Sequence, residues 1–243
     1  MSDPHDPVST ADAFDDTSTT DSTSGGSTPA DAGRVTPAGM GPYDTASDGE
    51  LRTALARHLL SRFHAIVREK GDAREMQYTA QAFDVARLFG AGVPSSSDFM
   101  QRYWTTLGPV IYAPPGRLTD LGANVRVLAH EVGHVVDFWV NPPMFVVRYL
   151  TDFGRAELEA HAERGALEVV WLLEGRLPSY IGVDVTRHGY ALGEGHADLT
   201  RDLLEQAATS VASGLVSTDV GIAAREWLLK NAPQRIRGTV VLP

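Results

Sequence analysis

The stretch NVRVLAHEVGHVVDFW, residues 124–139, decides how the rest of this 243-residue chain is read. Val125, Leu128, Ala129, Val132, Val136 and Trp139 recur every three to four residues. That period predicts a helix over 120–140, stopped by Asn141-Pro142-Pro143. Within it, His130-Glu131-Val132-Gly133-His134 sets two imidazoles four positions apart. Residues so spaced stand one turn apart on the same helix face, so both can ligate one zinc ion at about 2.1 Å. Glu131 falls about 100° around the helix from His130. There it flanks a metal without ligating it, and can take a proton from a water whose pKa the metal lowers. Gly133 costs about 1 kcal/mol relative to alanine in a helix interior, which points to close approach of another segment.

Working outward, the downstream pattern predicts helices over Thr151–Glu174, Gly189–Ala212 and Asp219–Asn231, the last capped by Thr218, with a terminal strand over Arg237–Leu242. Upstream, Gly108-Pro109-Val110-Ile111-Tyr112 reads as a short strand, and the prolines around it predict an edge position. Ser47-Asp48-Gly49-Glu50 has capping-box spacing. It opens a helix carrying Leu51, Leu55, Leu59, Phe63 and Ile66 towards Gly71. A second helix fits Asp72–Phe89, and a short third runs from Pro94 through Trp104. Trp104, Trp139, Trp171 and Trp227 fall at core-like positions. The fold class expected is α+β, helix-dominated, with a small sheet and the His-Glu-x-x-His helix at its centre.

Charge is unevenly placed. Residues 1–50 hold ten acids and a single base, while residues 51–243 hold 21 acids and 20 bases. Residues 1–46 are rich in Asp, Ser, Thr, Gly and Pro. They lack the apolar surface needed to offset ordering entropy, so they read as a disordered acidic tail ahead of a folded domain over 47–243. The tail serves either solubility or docking to a partner. A nearly neutral folded part argues against nucleic-acid binding, which needs a basic face. With no cysteine in the chain, disulfides, thiolate catalysis and Cys-ligated metal are excluded. The opening MSDPHDPVST has no basic segment and no apolar core, and no apolar run approaches the roughly 18 residues of a membrane span. The expectation is a cytoplasmic protein without membrane association, with export by a non-classical route as the alternative. Oligomeric state is not read from the sequence.

On His130, Glu131 and His134, with a strand-like Ile111-Tyr112 upstream, the chain resembles the zincin metallopeptidases over about residues 108–165. It is similar to short His-Glu-x-x-His proteins of bacteria and phages. The resemblance implies a zincin-like fold, zinc as cofactor and a peptide or protein substrate. The metzincin continuation is absent, since Val135-Val136-Asp137-Phe138 follows His134. What remains is the gluzincin pattern, in which a glutamate on a following helix completes the metal site. Arg155-Ala156-Glu157-Leu158-Glu159-Ala160-His161-Ala162-Glu163 offers two registers. With about 100° per residue, Glu159 lies at the edge of the stripe formed by Leu158, Ala162, Ala166, Val169 and Leu173. Glu157 lies opposite, beside His161, Arg164 and Glu168 on a face that reads as solvated. Glu159 is therefore the favoured third ligand and Glu157 the alternative. Glu163, one turn on, is either a support for a ligating histidine or an ordinary surface charge. Asp137 reads as a polar residue at a helix end.

Peptide hydrolysis also needs a donor to the tetrahedral oxyanion. His196, between Gly195 and Ala197, is the first candidate for a second catalytic residue beside Glu131. His188, Tyr180 and Tyr190 are further ones. The function expected is zinc-dependent peptide hydrolysis with Glu131 as general base. The alternatives are a non-catalytic metal-binding protein and a delivered effector whose acidic tail docks a partner.

Overall fold

The structure is a computed structural model that describes residues 40–88, 94–178 and 194–241, without the side chains of Ala86 and residues 194–197. The disordered-tail expectation therefore lies outside the described residues over 1–39. Residues 40–46 belong with the folded part, ahead of the Ser47 boundary expected. The Tyr43 amide donates to Asn231 O at 2.9 Å and its ring packs on Trp227.

Helix α1 (Asp48–Arg62) begins at the expected capping box, with Ser47 and Glu50 each accepting from the other's backbone. It buries Leu51, Leu55, Ala56 and Leu59. It stops sooner than its apolar period suggests. His64 takes a positive φ of 54° and the chain turns into strand β1 (Ile66–Glu69). Ile66 and Val67 extend the helical period, but they are β-branched and pair with another strand, so tertiary context overrides the local pattern. Helix α2 (Arg74–Leu88) and short helix α3 (Ser96–Gln101) follow. Strand β2 (Thr105–Leu107) then turns through Gly108, φ 60°, into strand β3 (Val110–Ala113).

The three strands form one sheet in the order β1-β3-β2, with β1 parallel and β2 antiparallel to β3. This corrects the expected edge position of Val110-Ile111-Tyr112, which is the central strand. Its prolines lie just outside the ladder, where no amide is needed, and Pro109 even accepts from Ile66 N. The edge next to the helices is β2, a segment to which the sequence assigns no element.

Helix α4 (Val125–Val140) buries nearly all of its middle, from Val132 to Val136. Asn141-Pro142-Pro143 ends it and at once starts helix α5 (Pro142–Tyr149), because Asn141 accepts from Met144 N and the proline sits where no amide is required. The sequence reading took only the stop from these residues. Trp139, expected in the core, is 53% exposed at the end of α4. Helix α6 (Asp152–Glu174) runs from the Thr151 cap to Gly175 in the left-handed conformation, as expected. Helix α7 (Glu194–Ala212) and helix α8 (Asp219–Asn231, Thr218 cap) complete the α-helices among the described residues, and the expected start of the former at Gly189 lies outside them. The expected terminal strand amounts to one parallel bridge between Leu215 and Val241.

Helix α6 is the hub, packed against α4, α5, α7 and α8. That covering corrects the placement of Glu168 on a solvated face. It is fully buried, and its carboxylate accepts from the Thr218 hydroxyl and from the amides of Ser217 and Thr218 at the start of α8. A two-faced wheel cannot anticipate a helix surrounded on most sides. The described chain is thus α+β and helix-dominated. No helix among the described residues is long and apolar enough to cross a membrane.

Candidate metal centre

Helices α4 and α6 meet at Gly133 and Ala162. A β-carbon on Gly133 would lie 2.8 Å from Ala162 Cα, so the glycine is what lets the two backbones approach. The contact lies between the two histidines along α4 and between two glutamates along α6, and it brings these side chains together. His130 Nε2 and His134 Nε2 are 3.2 Å apart. Glu159 Oε2 is 3.2 Å from the first and 3.3 Å from the second. His134 and Glu159 are buried and His130 is nearly so.

This triangle fits a small tetrahedral cation. Ligand atoms about 2.0–2.1 Å from such an ion stand roughly 3.3–3.4 Å from one another. Glu159 Oε2 is buried and makes no directed hydrogen bond despite its two close nitrogens. Buried polar atoms ordinarily have partners, and a cation is the partner that three converging lone pairs call for. Burial pushes the His130 imidazole down, but the Glu159 and Glu163 carboxylates against it outweigh that and lift it to about 10. Burial likewise pushes Glu159 up, and the neighbouring His134 and His130 more than reverse it, holding the acid below the usual carboxylate range. His130, His134 and Glu159 form a group able to hold a metal ion.

The surroundings orient these ligands. Glu163 Oε2 lies 3.1 Å from His130 Nδ1, and its other oxygen pairs with Arg126. A proton on Nδ1 leaves the Nε2 lone pair for the metal. The Tyr149 hydroxyl on α5 donates to Glu159 Oε1 at 3.1 Å. The charge on Glu159, together with burial, pushes that phenol well above its usual range, so it stays a donor. Phe145 and Tyr149 set their rings against His134. Glu131 is 7% exposed, and its Oε2 accepts from the Thr106 hydroxyl of β2 at 2.6 Å.

Glu159, and not Glu157, stands with the two histidines. Glu157 pairs with Arg148 at 3.0 Å with both side chains about two-fifths exposed, away from the histidines. Glu163 is a buried support for His130. Asp137 pairs with His161 at 3.0 Å and touches no ligand. His196 falls in the first turn of α7, where its side chain lies outside the described residues, as do His188, Tyr180 and Tyr190 altogether. The sequence reading missed Arg126, Thr106 and Tyr149. Arg126 stands four residues before His130 on the same stripe, a signal available in the spacing. Thr106 and Tyr149 lie on elements whose existence was not anticipated. Replacing Glu163 by alanine is expected to weaken metal affinity by about 10–100-fold, read by competition with a chromophoric chelator.

Comparison with known proteins finds no matching family model, no similar curated protein and no similar solved structure.

Proposed function

We propose that this chain is a zinc-dependent metallopeptidase of the gluzincin kind. The observation that carries the reading is the convergence of His130, His134 and Glu159 on one point, with a held carboxylate, Glu131, beside the ligand histidine. Two histidines and a carboxylate are the donor set of catalytic zinc sites that keep an open position. Bound zinc supplies Lewis acidity, which polarises a carbonyl and makes water acidic enough to lose a proton near neutral pH. The residues do the rest. Glu131, anchored through one oxygen, takes the proton of the attacking water and delivers it to the departing amine. Tyr149 keeps a protonated phenol on the metal-ligating carboxylate, and turning that one proton from Glu159 towards charge developing on the scissile oxygen would make it an oxyanion donor. The outer edge of β2 carries no strand among the described residues, so an extended peptide can add to it by main-chain pairing and lie next to Glu131.

The test is digestion of a broad peptide library by the zinc-loaded chain. Cleavage is expected, lost with a chelator and restored by zinc. No cleavage by a chain that holds zinc would overturn the peptidase reading and leave a metal-binding protein. Tyr149→Phe is expected to lower kcat by about 10²-fold, the scale for one oxyanion donor, measured at zinc concentrations high enough to offset the weaker affinity that follows loss of its hydrogen bond to Glu159.

A further inference from the structure

Thr106 is the middle residue of β2 and sits opposite Ile111 of β3. Directly paired residues share a face of a sheet, and Ile111 is fully buried in the core that contains α4. Thr106 therefore faces α4, while its neighbours Thr105 and Leu107 face the other way. Its hydroxyl reaches Glu131 Oε2 at 2.6 Å, a length typical of a hydrogen bond to an ionised carboxylate. The same hydroxyl also lies 3.4 Å from the Glu131 carbonyl oxygen, a longer contact. A glutamate side chain has three torsions. Holding one oxygen fixes the last of them and so fixes where the other oxygen points. That anchor comes from β2, an edge strand with no further strand paired to it among the described residues.

We propose that Thr106 is a positioning residue that aims Glu131 and ties its alignment to pairing of a peptide along β2. The proposal rests on the peptidase reading. A peptide added to β2 stiffens that strand, and with it the hydroxyl that holds the carboxylate. The scissile bond and its base thus become aligned together. Loss of the hydroxyl leaves docking and metal ligands intact and lets the base swing.

The variants Thr106→Val, which keeps the shape, and Thr106→Ser, which keeps the hydroxyl, test this in the full chain. Thr106→Val is expected to lower kcat by about 10²-fold, the cost of misplacing a reacting group by about an ångström. KM should stay within a small factor, zinc content should match wild type, and Thr106→Ser should recover most of the rate. An unchanged kcat, a change in KM alone, or a Ser variant as slow as the Val variant overturns the proposal. Crystal structures of metal-free wild type and Thr106→Val supply a readout independent of hydrolysis. The Glu131 carboxylate is expected to leave its position in the variant, and a carboxylate that stays in place overturns the proposal even where no peptide is cut. Failure of wild type to cleave, with Glu131 displaced in the variant, instead counts against the peptidase reading alone.

Discussion

Glu131→Gln is expected to reduce peptide hydrolysis by at least about 10³-fold while zinc stays bound. The amide has the size and shape of the carboxylate and can still accept from the Thr106 hydroxyl, so the local packing survives. It cannot take a proton from water. Loss of a general base costs on the order of 10²–10⁴ in rate, and here the same group also returns the proton to the leaving amine. None of the three atoms grouped for a metal belongs to Glu131, so metal content should match wild type. Parallel measurement of turnover and zinc by elemental mass spectrometry checks both halves. A variant that loses its metal would place Glu131 among the ligands, contrary to the geometry.

Gly133→Ala is expected to damage stability and metal binding together. Alanine improves helix propensity by about 1 kcal/mol, which in an open helix would stabilise the protein. Here the new methyl would stand 2.8 Å from Ala162 Cα and 3.1 Å from Ala162 Cβ. The obstacle is backbone, so α4 and α6 must separate. Overpacking of this kind costs about 1–3 kcal/mol, enough to cancel the propensity gain. The separation also pulls Glu159 away from the two histidines. Urea unfolding should therefore show a net loss of stability in the metal-free chain, with zinc affinity falling besides. A variant that gains stability and keeps full zinc affinity would mean the helices are not in contact at this point.

The features legible in the sequence were those written in local spacing. The i, i+4 histidines, the Ser47 capping box, the Thr218 cap and the extent of α6 each depend on residues within a few turns, and each is where the pattern puts it. That Glu159 rather than Glu157 stands with the two histidines was also legible, because its carboxylate lies at the margin of the apolar stripe. The sheet was harder to read. β1 hides in a helical period, and β2 has three residues with no alternation to betray it. Both are strands only because β3 lies between them. Glu168 was misread because its partners, Ser217 and Thr218, stand about fifty positions away. Thr106 and Tyr149 reach the site through elements that exist only after folding. Gly133 did signal its role, as a residue whose helix penalty made sense only if another backbone came close.

The central claim is that His130, His134 and Glu159 hold one metal ion. Elemental mass spectrometry of the purified wild type and of His134→Ala, Glu157→Ala and Glu159→Ala tests it most directly. The expected result is about one zinc per chain, lost in His134→Ala and Glu159→Ala and retained in Glu157→Ala, whose carboxylate only pairs with Arg148. A wild-type chain that takes up no tightly bound metal when zinc is offered, or one that keeps it without Glu159, would contradict the account.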